Sequence, residues 1–275
     1  MGKITQYDLV ILGNDPQVET LLEMAGRELT RIAWVTMTEV ADVLLPWNVD
    51  HFVGPFRFET AQQIFCLSAD GRRDLKSQRI VIATGTTPRR PSWLPDHSRI
   101  YLADQISPEK HFADKTAIIG LGRTGLQMRS QLAKTCDHLV CIDASTDINL
   151  NQWSKNPRRD DRRQSIYLGN GLAGIEVEKS GLKLFLEDSQ TVLVDEAILC
   201  VGRVGNTAHL QLENAGLSVD DSKRIWCNSD YQTWTPGIYA IGSVVGYAHR
   251  MHPDHSECEL VLEAMLQSQN MQLLA

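Results

Sequence analysis

The sequence predicts an α/β protein whose chain twice runs strand, glycine turn, helix, strand. Three observations carry this. Residues 7–12 (YDLVIL) form an apolar run that stops at Gly13, and a helical pattern follows with Leu21, Leu22 and Ala25 on one face. Residues 117–119 begin the arrangement again and complete it. Gly120, Gly122 and Gly125 stand in the spacing G-x-G-x-x-G, a helical stretch follows, and a second apolar run, 139–142, closes on Asp143. Around these units lie short alternating segments broken by turn residues, the pattern of small antiparallel sheets.

The totals fit this class. A chain of 275 residues is long enough for two compact domains. With 43% hydrophobic and 22% charged residues, the composition is that of an ordinary globular protein. A net charge of −7 argues against a nucleic-acid partner held through its phosphates. No apolar run approaches a membrane span. The start, MGKITQYDLVILG, runs straight into a strand, so no signal peptide is expected and the expected location is cytoplasmic. The six cysteines are scattered through apolar runs, as buried free thiols are, and do not read as a disulfide framework.

The first unit has the frame of a dinucleotide site without its chemistry. Residues 31–35 supply the second strand. Where the spacing needs its second and third glycines, the chain has Asp15 and Val18. Asp15 is expected to cap a helix beginning at Pro16, which puts a carboxylate where a pyrophosphate would sit. Val18 adds bulk where helix and strand should close up. The second strand ends at Thr36 with no acid for a ribose. Next, residues 52–58 and 63–67 alternate as strands, with a hairpin turn at Ala69-Asp70-Gly71. Residues 79–83 return as a buried strand before Thr84-Gly85.

The second unit is complete. Gly120 permits a tight turn, Gly122 lets a pyrophosphate approach the backbone, and Gly125 lets helix and strand pack closely. The helix start at Arg123 and Thr124 offers free N–H groups to phosphates. Asp143 lies 18 residues beyond Gly125, where a carboxylate takes ribose hydroxyls. That charge repels an extra 2′-phosphate, so NAD(H) is expected over NADP(H). Residues 158–163 hold Arg158, Arg159, Arg162 and Arg163 around Asp160 and Asp161, read as a solvated loop rather than a phosphate clamp. Residues 175–178, 182–187 and 191–194 form a second small meander, and 197–201 a further strand leading to Gly202.

Four stretches carry a resemblance: 51–71 (HFVGPFRFETAQQIFCLSADG), 79–95 (RIVIATGTTPRRPSWLP), 200–220 (CVGRVGNTAHLQLENAGLSVD) and 227–247 (CNSDYQTWTPGIYAIGSVVGY). Together they resemble the pyridine nucleotide-disulfide oxidoreductase family of two-dinucleotide-binding flavoproteins. The likeness is strongest to its soluble pyridine nucleotide transhydrogenase branch, related to dihydrolipoamide dehydrogenase. The resemblance implies two Rossmann-like three-layer domains. A discontinuous FAD-type domain (1–112 and 230–275) would hold an inserted NAD-type domain (113–229). It implies NAD(H) at Gly120, Gly122, Arg123, Thr124, Gly125, Gln127, Asp143 and Gly202, and FAD near Gly13, Thr84, Gly85, Gly242 and Ser243.

Several departures bear on function. The family's helical block with the redox C-x4-C pair has no counterpart here. Cys136 and Cys141 share that spacing but sit at a helix end and inside a strand, where packing is the expected role. Gln127 stands where the family has Glu, and Ser243 where it has an Asp for the flavin's ribityl chain. The family's C-terminal interface domain, and with it the usual homodimer surface, is expected to be absent. Tight FAD binding is therefore not expected. Two readings stay open: an oxidoreductase passing hydride between NADH and FAD, and a non-catalytic descendant that binds NAD(H) or a protein partner. His249, His252 and His255 admit a third, a metal site, but Pro253 keeps them off one helical face. A polar loop leading into a helix, with Asp254 and Glu257 as its capping pair, is the expectation there.

Overall fold

The computed structural model describes residues 4–41, 43–107, 109–133, 135–150, 163–247 and 256–273. The chain forms two compact units, residues 1–87 with 204–275, and residues 88–203.

The first unit is built on a five-stranded parallel sheet, in the order Ile238–Ala240, Ile80–Ile82, Leu9–Leu12, Ile32–Thr36, Val49–Val53. Numbered along the chain from Leu9, this is the order 3-2-1-4-5 read from the opposite edge, the doubly-wound arrangement. Alternate strand residues face two layers, because successive side chains of a strand point to opposite sides. Leu9, Ile11, Ile32 and Trp34 pack against two helices, α1 (Gln17–Glu28) and the C-terminal helix Glu257–Leu273. Val10, Leu12, Ala33 and Val35 pack against a meander carrying Phe58, Ile64, Cys66 and Leu75. Along Leu9–Leu12 all four side chains are buried, as both covered faces require.

The second unit repeats the plan. Its parallel sheet runs Ile100–Leu102, Glu196–Leu199, Lys115–Ile119, His138–Asp143, Gln164–Leu168. One face packs on α2 (Arg123–Leu132) through Ile118, Leu139, Cys141 and Ile198. The other packs on an antiparallel meander, Leu172–Val177, Leu182–Leu186 and Thr191–Val194, through Ala117, Ile119, Val140 and Ile142. The two three-layer α/β units are those the sequence predicts.

The unit bounds differ from the sequence-based ones. Ile100–Leu102 pairs with Glu196–Leu199 inside the second unit, and Leu210, Leu212, Leu217 and Ile225 enter the core of the first. Packing moves both junctions toward the N-terminus. Other details are corrected locally. Residues 52–58 are not one strand: Gly54, at φ 146°, ends Val49–Val53 in the main sheet before Phe56–Thr60 starts the meander. Gln164–Leu168, hidden behind the polar run, is an edge strand. The C-terminal helix is capped by Ser256 and Glu259, whose side chains and backbone N–H groups bond reciprocally at 2.8 and 3.2 Å. The expected Asp254 lies outside the described residues, and Glu257 is engaged elsewhere. Arg158, Arg159, Arg162 and the three late histidines also lie outside the described residues. Arg163 pairs with Asp137 at 3.3 Å. Among the described residues no group of three or more His, Cys, Asp or Glu is placed to hold a metal, and no helix is long and apolar enough to cross a membrane.

Candidate functional site

In each unit the strand order reverses beside the first glycine turn, and the ends of the flanking strands part there to leave a crevice. The two turns are built alike. Gly13 (φ 106°) and Gly120 (φ 89°) occupy the left-handed region. A β-carbon on either would lie 2.3 Å from the Ala83 carbonyl oxygen or 2.5 Å from that of Cys200, so only glycine fits. The N–H of Gly13 donates to Val35 O and that of Gly120 to Ile142 O, each at 2.8 Å.

In the second unit the turn is open. Gly122 is the N-cap of α2, and among the described residues no side chain caps that helix and nothing lies within 4 Å of where its β-carbon would stand. Gly125 is needed for closeness: its β-carbon would fall 1.8 Å from Gly120 O. Asp143, at the end of its strand, accepts the Leu121 N–H on Oδ2 at 2.5 Å and the Ser145 N–H on Oδ1 at 2.7 Å. Its carboxylate is thus fixed beside the turn. A cavity of about 290 Å³ gathers Gly120, Gly122 and Asp143 with Trp93, Gly171, Leu172 and the strand-end residues Leu199, Cys200 and Val201. Burial, and secondarily the Asp104 carboxylate, pushes the Cys200 thiol up to about 12, so it stays protonated and inert.

Of the expected residues, Arg123, Thr124 and Gly125 form the first turn of α2 next to this cavity. Gln127 is exposed on the same helix. Gly202 (φ 98°) makes a turn whose carbonyl accepts the Arg89 N–H at 2.9 Å, and it does not line the cavity. The next residue, Arg203, forms a two-pronged pair with Asp104 at 2.6 and 2.7 Å. Trp93 and the strand-end residues were missed in the sequence. The signal was the reversal of strand order, which needs the sheet to be known.

The expected residues of the first unit separate into two places. Gly13 and Thr84 line a cavity of about 500 Å³. Gly85, Gly242 and Ser243 gather instead around Asp15. The Asp15 Oδ2 accepts both the N–H of Ser243, at 3.1 Å, and its hydroxyl, at 3.3 Å. A β-carbon on Gly242 would meet the Asp15 carboxylate carbon at 2.3 Å, and one on Gly85 would lie 3.7 Å from Oδ2. The neighbouring Gly242 N–H donates to Glu257 Oε2 at 2.8 Å. Successive amides are therefore held by two carboxylates of the chain itself. The expected capping role is corrected accordingly. α1 starts at Gln17 with Pro16 before it, and Asp15 reaches the Gln17 N–H only at 3.4 Å. The Trp34 indole donates to Gly13 O at 2.7 Å and stacks on His51, with ring centroids 4.2 Å apart, fixing this turn from the other side.

Comparison with known proteins agrees with this architecture. The chain is 29% identical over 232 residues to the soluble pyridine nucleotide transhydrogenase of Yersinia pestis (strain Pestoides F), covering 79% of this chain and 48% of that protein. It is 27% identical over 235 residues to the enzyme of the same name from Colwellia psychrerythraea, covering 80% and 49%. The chain thus spans about half the length of these relatives. Among solved structures, the HOCl-induced flavoprotein disulfide reductase RclA from Escherichia coli superposes with a TM-score of 0.76 at 17% identity, over 94% of this chain and 69% of that one. LpdA from Mycobacterium tuberculosis gives 0.79 at 18% identity, over 96% and 72%. The family model described as pyridine nucleotide-disulphide oxidoreductase matches residues 16–268, and the chain belongs to that family.

Proposed function

We infer that this chain binds NAD(H) in its 88–203 unit and does not hold FAD at the first glycine turn. It is a nucleotide-binding member of an oxidoreductase family in which flavin-dependent turnover has been lost. The observation that carries this is the contrast between two turns of the same design. At Gly122 the approach to the helix start is open among the described residues, with backbone N–H groups and no acid in the first turn. At the matching position in the first unit stands Asp15, whose carboxylate is bonded to Ser243. A diphosphate brought there meets two carboxylates, Asp15 and Glu257, on the amides it needs. Like charge and lost donors both oppose it.

In the second unit the residues fit a dinucleotide. The amides at Gly122, Arg123 and Thr124 would take the pyrophosphate, and the Asp143 carboxylate would take the ribose hydroxyls. The same charge favours NAD(H) over NADP(H). The nicotinamide, when bound, supplies hydride exchange. The chain's part is to bind and orient the dinucleotide along a crevice walled by Leu199, Cys200 and Val201.

The test is direct. The purified protein is examined by visible spectroscopy, then titrated with NADH, NADPH and FAD. NADH is expected to saturate a single site, NADPH to bind at least about tenfold more weakly, a difference of 1.4 kcal/mol, and FAD not to bind. Failure of NADH to bind, or flavin copurifying near one equivalent, refutes the inference. The Asp15→Gly variant restores the second glycine. A gain of FAD binding in it identifies Asp15 as the block.

A further inference from the structure

Closing the first turn to a diphosphate leaves its crevice in place. The 500 Å³ cavity falls within the ~300–1,000 Å³ range of small-molecule sites. Its lining mixes an apolar wall with a few polar groups. Phe56 and Met37 present an aromatic ring and a polarizable thioether, surfaces suited to a flat apolar body. Lys223 is the one lysine or arginine of the lining, and it is exposed with no ion pair among the described residues. Two further lining residues carry buried polar atoms without a hydrogen-bond partner among the described residues, Oγ1 of Thr84 and Nε2 of His209. Such atoms are costly to leave unpaired in a folded chain, so each marks a place where a bound group would gain a bond. The His209 ring is set by an edge-on contact with Phe56, centroids 5.1 Å apart. Burial lowers its pKa, so it serves as a neutral hydrogen-bonding group, which leaves Lys223 as the one cationic residue among the described lining residues.

We propose that this cavity is a binding site for a compact aromatic monocarboxylate. The ring lies against Phe56 and Met37, and the carboxylate takes the Lys223 ammonium, the Thr84 hydroxyl and the His209 Nε2–H. One cation matches one carboxylate, whereas a diphosphate has nowhere to go with Asp15 and Glu257 on the amides of Ser243 and Gly242. The proposal rests on the reading that Asp15 closes the turn, and an FAD control separates the two.

The whole chain is titrated with benzoate, 4-hydroxybenzoate and indole-3-acetate, each beside its uncharged amide, by calorimetry and by tryptophan emission. Trp34 is the reporter, since its indole holds the carbonyl of Gly13, a residue of the cavity. At least one acid is expected to bind one-to-one and more than tenfold tighter than its amide. Lys223→Gln should weaken it tenfold or more with unchanged melting temperature and NADH affinity, and Lys223→Arg should retain it. Thr84→Val, which keeps the shape and removes the hydroxyl, should weaken it severalfold. No saturation by any acid, equal binding of acid and amide, or indifference to Lys223→Gln overturns the proposal. FAD binding to the parent protein overturns instead the reading of Asp15, and is seen separately by flavin absorbance.

Discussion

Gly122→Asp tests the nucleotide site with little disturbance to the fold. The residue has φ −65° and ψ −170°, open to any side chain, and no atom of the described residues lies within 4 Å of the new β-carbon. Aspartate is also a favoured N-cap, so stability should stay level or rise by a few tenths of a kcal/mol. Binding is another matter. A carboxylate about 5 Å from a phosphate charge opposes it by roughly 3 kcal/mol at an effective dielectric near 20. Salt and the exposure of the turn reduce this, and the capped amides add to it. The net expectation is a loss of about ten- to hundredfold in NADH affinity, or 1.4 to 2.8 kcal/mol. The assay is quenching of tryptophan emission with sensitised nicotinamide emission, for which Trp93, lining the cavity, is a donor. A parallel melt checks the fold. A variant that melts with the parent and binds NADH within about threefold, under 1 kcal/mol, refutes the assignment of this turn.

Three other outcomes are expected. Gly125→Ala forces a methyl to within 1.8 Å of Gly120 O, so the helix must move off the strand. A loss of about 1–3 kcal/mol or more should appear as a lower melting temperature. Burial holds the Cys141 and Cys66 thiols up at about 11 and that of Cys200 at about 12. Alkylation by iodoacetamide at mildly alkaline pH should therefore be slow in the native protein and fast in denaturant, read by mass spectrometry. Burial also lowers the pKa of His51 and His209 below 6.5. The unfolded chain takes up these protons first, so stability present above pH about 6.5 falls as the pH drops toward the lower folded values. Denaturation curves across that window should show the slope, and His51→Gln with His209→Gln should flatten it.

What was legible in the sequence followed local rules. The glycine turns, the buried parallel strands and the meanders were readable because periodicity and turn chemistry act within a few residues. Gly120, Gly122 and Asp143 were found and are brought together, since one strand–helix–strand passage carries all three. Contacts between distant segments were not readable. Trp93 and Cys200 reach the cavity from the separate stretches 79–95 and 200–220, where the family likeness marked neither of them. The partner of Asp15 is Ser243, separated from it by nearly the whole chain. Glu257, expected at a helix cap, reaches the Gly242 amide because the C-terminal helix packs on the same face as α1.

The two turns also serve as controls for one another. Each begins with a left-handed glycine donating to the neighbouring strand, and each lies where the strand order reverses. The frame is held constant by the backbone, so their difference lies in side chains. In one, three glycines leave the helix start bare. In the other, Asp15 and Val18 replace the second and third glycines, yet Val18 is fully buried and α1 still packs. The frame therefore does not require the fingerprint, and the glycines beyond the first are dispensable for folding when the helix is set to accommodate larger side chains. The closeness seen at Gly125, which a folding chain does not need, is understandable as the geometry that brings bare helix amides to a bound diphosphate.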